Sequence, residues 1–289
     1  MQNLKDIRKR ISSVKSTKQI TQAMKMVSAA KLRKVQNRII QLRPYTNKVK
    51  SLLEIIVASA EGELDNPLFE ERPLKKVLIV AISANRGLCG AFNSNVIRLV
   101  EETAKEYQDQ GIDAEIFSIG KKAAAVLRHR GYNVVKENTD VIEKVSFEKA
   151  RNVAQELIDL FIAGEYDRID VVYNSFKTPG SQLLLREQFL PIPKPQGVSI
   201  SNMNFIYEPD LPTIIDRLVF GYLLFVEFFY YLLDSYAAEQ GARMTAMHKA
   251  TDNAEAMIRQ LTLEYNKARQ AAITKEIIEI VSGANALKG

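Results

Sequence analysis

Apolar residues near the start of the chain recur in steps of three and four: Leu4, Ile7, Ile11 and Val14, then Ile20, Ala23, Val27 and Ala30. That spacing draws one stripe along a helix. Residues 4–57 contain no glycine and one proline, Pro44. The pattern predicts a helix of about 50 residues, roughly 80 Å long at about 1.5 Å per residue, with Pro44 marking a kink or interruption near its far end. No compact domain needs such a length. The other end of the chain answers it. Met244, Met247, Thr251, Ala254, Ile258, Leu261, Tyr265, Ala268 and Ala272 alternate steps of three and four, a sustained heptad seam. Beyond it the stripe changes phase to Ile273, Ile277, Ile280 and Ala284. A phase change turns the last helical turns away from a two-helix seam and toward another surface; a drifting stripe on an ordinary helix is the alternative.

Between these segments the texture alternates. Val77–Ser83, Ala114–Ile119, Tyr132–Val135 and Ile169–Tyr173 read as short strands, and Asn95–Gln110, Lys121–Arg130 and Phe147–Ala163 as helices. Leu183–Phe189 adds a candidate edge strand, and the proline-rich 190–197 leads out. Strand–helix alternation predicts a mainly parallel sheet. The expected fold class is therefore α/β: a long antiparallel two-helix coiled coil from the N- and C-terminal segments, with an inserted, mainly parallel α/β domain. The boundaries fall at 1–57 for the first helix, 74–200 for the inserted domain and 211–289 for the last helix.

Charge changes the picture. Residues 1–50 carry 14 Lys and Arg against one acid, Asp6, a net +13; since the whole chain is +6, the remainder sums to −7. So one-sided an excess implies an acidic partner: nucleic acid, a membrane surface or an acidic protein cavity. A solvated helix face is the plainer reading. One cysteine and two histidines exclude a disulfide framework and a Cys-based metal site. The most apolar run, 218–233, has 16 residues and contains Glu227. It falls short of the roughly 20 needed to span a bilayer and reads as a buried helix or a partner surface. Met1–Arg10 shows no apolar signal-peptide core.

The stretch "SANRGLCGAFN", 83–93, joins the first strand to the first inner helix and holds Cys89. It lacks the G-x-x-x-x-G-K-[ST] and G-x-G-x-x-G strings that cradle phosphates. Cys89 as a nucleophile would need a base and an orienting group, and His129 is the only histidine in that domain. A tight structural turn with a buried thiol is the favoured reading; no cofactor or metal is expected.

Four segments in order resemble one family. They are "IRKRISSVKSTKQITQAMKMVSAAKLRKVQ" at 7–36, "RGLCGAFN" at 86–93, "IYEPD" at 206–210 and "NKARQAAITKEIIEIVSGANAL" at 266–287. Together they are similar to the γ subunits of F-type ATP synthases over almost the whole length. The resemblance implies a rotating shaft. Its coiled coil would enter the cavity of a hexamer of α and β subunits, and its α/β domain would sit on the polar loops of the c ring beside the ε subunit. ATP chemistry would belong to β, so the chain itself would not be catalytic. Its place would be the cytoplasmic face of a bacterial plasma (inner) membrane, held there through the c ring. The basic arm would face acidic loops of β.

Residue by residue, the resemblance implies that Met24 and Lys25 face the β subunits and that Arg269 and Gln270 bond a β loop. Ile273, Ile277, Ile280 and Ala284 would run in an apolar bearing, and Tyr207 and Glu208 would approach the c ring. The GLCG turn would be scaffold. The lone Cys89 does not support the cysteine-pair regulation of chloroplast relatives. Two features depart from the family: Gly241, where alanine is usual, at a cost of up to about 1 kcal/mol in helix propensity, and the aromatic run 217–236. A tighter ε contact through 217–233, tested at Phe225 and Phe229, is the expectation for the second. The competing readings are a basic coiled-coil nucleic-acid-binding protein and a small α/β enzyme using Cys89.

Overall fold

The computed structural model describes residues 4–59, 66–193, 208, 210, 213–214 and 223–286. Two compact units result: one made from the chain's ends, up to Val27 and from Met244, and one from Ser28–Arg243. Helices α1 (Leu4–Ser59) and α6 (Leu224–Ala286) contribute to both. Helix α1 runs through Pro44 without interruption.

In the first unit the two helices form an antiparallel pair. Lys18 Nζ lies 3.1 Å from Glu255 Oε2, the Thr21 and Thr251 hydroxyls 2.8 Å apart, and Lys25 Nζ 3.3 Å from His248 Nδ1. Numbers rise along one helix as they fall along the other. Every predicted seam position of α6 from Met244 to Ala272 is buried or half-buried. On α1, Leu4, Ile7, Ile11 and Val14 also face inward. The second half of the α1 stripe is corrected: Ile20 is 60% and Val27 55% exposed, and Ala23 and Ala30 are exposed too. The seam passes instead through Lys18, Thr21, Met24 and Lys25. A two-helix seam keeps its seven-residue period whatever side chains occupy it. Polar residues at 18, 21 and 25 hide that period, and an apolar count slips onto the outer face.

The Thr21–Thr251 layer is a polar step inside the seam. Each hydroxyl also reaches its own helix, Thr21 to the Lys18 carbonyl at 3.0 Å and Thr251 to the Met247 carbonyl at 2.8 Å. Replacing both with Val exchanges two half-desolvated hydroxyls for methyls of matching shape. The double variant should gain about 1 kcal/mol, read as a higher urea midpoint with unchanged slope.

The second unit holds β1 (Lys76–Ile82), α2 (Phe92–Asp109), β2 (Asp113–Ile119), α3 (Lys121–His129), β3 (Val134–Asn138), α4 (Asp140–Glu143), α5 (Phe147–Ile162), β4 (Arg168–Thr178) and β5 (Ser181–Leu190). The sheet order is β3-β2-β1-β4-β5. The first four strands are parallel and β5 is antiparallel on the edge. Central strand β1 is buried on both faces and is apolar without alternation, as a covered parallel strand must be. Val77, Ile79 and Ala81 pack with Val96 and Val100 of α2 and Leu127 of α3. On the opposite face, Lys136 stands 5.7 Å over the Phe117 ring and pairs with Glu156 of α5. The third strand begins later than its pattern predicts, because Tyr132 N–H still caps α3 through the Leu127 carbonyl at 3.0 Å.

Helix α6 explains the aromatic run from Leu223 onward; residues 217–222 of it lie outside the described residues. From Leu223 to Arg243 it is buried or half-buried at every position, and a helix buried all round must be apolar all round. Phe228 meets Phe189 at 5.6 Å, Tyr231 meets Tyr173 at 4.9 Å, and Phe229 meets Phe147 edge-on at 5.6 Å. Phe225 is 3% exposed under the Arg151 guanidinium. The expectation of an ε contact at Phe225 is therefore withdrawn; this residue packs the domain's own core. Gly241 also gains a reason. A Cβ there would lie 3.1 Å from Phe176 Cε2 and 3.1 Å from Pro179 Cα. The β4–β5 hairpin thus approaches the helix as closely as only a glycine comfortably allows.

Candidate functional site

The turn 83–91 leaves the carboxyl end of β1 beside β4, where the strand order reverses. Open α/β sheets bind ligands in that crevice. Here the crevice is filled by the chain itself. Ala84, Cys89 and Phe92 pack against Ala238 and Ala242 of α6 and against Phe176. Arg243 donates to the carbonyls of Arg86 and Gly87 at 3.3 and 3.4 Å and to Glu239 at 2.5 Å. The Glu239 carboxyl is pushed up by burial and held back by Arg243. Gly120 closes the turn from β2: a Cβ there would sit 2.2 Å from the Ser83 carbonyl oxygen, and its φ is +101°.

Cys89 is fully buried, with the Asn93 amide 3.2 Å from its sulfur. Burial pushes the thiol up, with Arg243 opposing. A thiol held protonated is a poor nucleophile, and the residue packs as a small apolar side chain.

A buried polar network around Asp170 is also structural. Asp170, wholly buried, accepts from Tyr107 Oη at 2.7 Å, Arg186 Nε at 2.8 Å and Arg168 Nε at 2.9 Å. Burial, and then the Asp170 charge, push the Tyr107 hydroxyl up to about 12.

The candidate contact residues for the hexamer lie on α1 and α6. Met24 and Lys25 are half-buried at the seam, Lys25 beside His248. Arg269 and Gln270 are exposed on α6. His248 and Arg269 are separated by about 30 Å of helix at about 1.5 Å per residue, so the two groups stand at different levels of the coil. Extending the observed register brings Leu4 opposite Ala268. Beyond it, residues 273–284 of α6 have no partner helix among the described residues. Ile273 is 48%, Ile277 55% and Ile280 70% exposed, and Ala284 is exposed as well. Ile278 at 59% and Val281 at 53% widen this apolar end beyond the predicted stripe. Their signal was visible as the run of apolar pairs in "EIIEIV". Of the proposed c-ring pair, Glu208 is exposed and Tyr207 lies outside the described residues. Nearby Asp210 accepts from Thr213 N and Oγ1, bonds that lower its carboxyl below the ordinary range. No helix among the described residues is long and apolar enough to cross a membrane.

Comparison with known proteins agrees with this arrangement. A family model described as ATP synthase matches residues 3–287. The ATP synthase gamma chain of Flavobacterium psychrophilum is 49% identical over 290 residues and that of Chlorobium limicola 43% over 293, each spanning 100% of both chains. Among solved structures, a chain of the Euglena gracilis mitochondrial ATP synthase OSCP/F1/c-ring assembly aligns with TM-score 0.70. The alignment covers 98% of this chain and 94% of that one at 20% identity, and shows the fold. A Euglena gracilis mitochondrial ATP synthase rotor chain aligns with TM-score 0.64 at 21% identity, over 93% and 98% of the two chains. A match from end to end with relatives approaching half identity settles the family: the chain belongs to the ATP synthase gamma chains.

Proposed function

We propose that the chain is the central-stalk rotor of an ATP synthase, carrying torque between a membrane c ring and a catalytic hexamer of α and β subunits. It would thereby couple ion flow to ATP synthesis and hydrolysis. The observation that carries the reading is the lone end of α6. Ile273, Ile277 and Ile280 stay exposed where α6 has no partner helix among the described residues, and an apolar helix end of this kind needs a sleeve. The hexamer cavity supplies one. Segments 1–57 and 211–289 form the shaft and 74–200 the foot. Met24 and Lys25 meet β at a lower level, Arg269 and Gln270 at a higher one. Tyr207 and Glu208 approach the c-ring loops, and ε binds beside the foot. The chain performs no chemistry itself: its turn crevice is filled by α6 and its one thiol is buried. It is held on the cytoplasmic face of a bacterial inner membrane through the c ring. Membership in this family leaves the nucleic-acid reading of the basic arm without support.

The test is ATP hydrolysis by reconstituted α and β subunits, with this chain and with a copy ending at Ala268. The intact chain should join the hexamer and stimulate turnover. The shortened copy should bind at least about tenfold more weakly, since each isoleucine buried contributes about 1.5 kcal/mol or more and about 1.4 kcal/mol is tenfold in affinity. Failure of the intact chain to join or stimulate the hexamer would end the reading.

A further inference from the structure

A groove of about 550 Å³ opens in the second unit between α1, the α4–α5 connection and α6. Its walls differ in kind. Lys31, Lys34 and Arg38 stand along one edge and Lys144 along another, with Glu143 the single acid lining it. On α1 the three cations are spaced three and four residues apart, so one helix face presents them together. None of the four is in an ion pair among the described residues. Below them the lining turns apolar. Leu233 is 0%, Val35 6% and Val145 7% exposed at the floor, while Phe147, edge-on to Phe229, remains 38% exposed at the mouth.

We propose that this groove binds a free medium-chain fatty-acid carboxylate, its head among the lysines and its tail along the aromatic wall. The volume lies within the range of about 300–1,000 Å³ typical of small-molecule sites. A small inorganic anion would use the cationic edge and leave the phenylalanines wet. A neutral amphiphile would fill the apolar wall and bring no charge to the cationic edge. Two turns of a partner helix, about 10 Å wide and about 11 Å long, need more room than the groove has. A single alkyl chain with one anionic head matches both walls and the space. The inference goes beyond the rotor role and does not depend on it.

The test titrates the full-length chain calorimetrically with dodecanoate below its micelle concentration. Dodecyl maltoside serves as the same tail with a neutral head, butyrate as the head without the tail, and phosphatidylglycerol vesicles as a membrane-bound anion. One dodecanoate should bind saturably, at least tenfold more tightly than dodecyl maltoside or butyrate. Lys31→Glu with Lys34→Glu should weaken it at least tenfold, and Phe147→Ala several-fold, with unchanged helical circular dichroism. Both lysines are exposed; should their double variant unfold, Phe147→Ala and the ligand series still decide. Equal binding of the neutral amphiphile or of butyrate, binding to vesicles alone, no binding at all, or indifference to the substitutions would each overturn the proposal. No ATPase is read in this assay, so its failure leaves the rotor reading untouched.

Discussion

Asp170→Ala should cost the α/β domain about 3 kcal/mol, the lower end of the range for breaking a buried ion pair. The carboxylate is fully buried and receives two guanidinium groups and a phenol. Its loss takes an acceptor from Arg168, Arg186 and Tyr107 at once. The cost stays near the lower end because both arginines reach solvent, at 29% and 22% side-chain exposure, and Arg186 keeps Glu106 at 2.6 Å. Urea unfolding at neutral pH measures it. The alkaline limb supplies an independent check. Tyr107 is pushed up to about 12 from 10, first by burial and then by Asp170. The folded state therefore holds this proton more tightly than the unfolded chain. The stability it contributes is complete below pH 10 and lost as pH rises toward 12. Without Asp170 the folded value falls toward 10, so the variant should lose less of its remaining stability between pH 10 and 12 than the parent does. A parallel decline in both proteins would show that the network does not hold the tyrosine.

Much of this domain was legible because parallel strands and their helices announce themselves. Val77–Ile82 is an unbroken apolar run since both of its faces are covered, and Phe147–Ile162 repeats at helical spacing above its Ser146 cap. The heptad of α6 was legible for the same reason: apart from Thr251 and Tyr265 its seam is made of methionine, alanine, isoleucine and leucine. The middle of α1 was not. There the seam is built from Lys18, Thr21 and Lys25, and polar residues that pair across an interface look in sequence like polar residues that face water. Only the distances to Glu255, Thr251 and His248 separate the two cases.

The candidate site divides in the same way. Exposure of the terminal isoleucines followed from a change of phase against the seam, a property of one helix read alone. The filling of the strand-end crevice did not follow, because it joins Cys89 to Ala238 and Arg86 to Arg243 across most of the chain. Gly241 and the aromatic run were anomalies in sequence for that reason. Each is the α6 half of a contact whose other half lies far off in sequence, in the β4–β5 hairpin for Gly241 and in α5, β4 and β5 for the aromatic residues.

Arg243→Met should be the other severe substitution, costing about 3–5 kcal/mol. Glu239 and Arg243 are 6% and 9% exposed, one turn apart on α6, and the guanidinium also holds the Arg86 and Gly87 carbonyls. Without it the buried carboxylate keeps only the weaker pull of Lys31 and Arg86. Burial already raises Glu239 above its ordinary 4.5, and Arg243 is the first restraint on that rise; the variant must push it higher. A raised carboxyl contributes stability below the unfolded value and loses it as pH climbs through the folded one. The gap between variant and parent should therefore be smallest below pH 4.5 and widen upward. Adding Glu239→Met should recover most of the loss, because an apolar pair of similar volume needs no counter-charge, and the double-mutant cycle then isolates the coupling. The same substitution bears on the rotor. Arg243 is the last residue that α6 gives to the α/β unit before the helix joins the coil. A shaft that turns with its foot needs that fastening. In the reconstituted complex, ATP-driven ion pumping should fall by more than hydrolysis does. Equal losses of both would place the fastening elsewhere on α6, among the aromatic contacts at Phe228 and Tyr231.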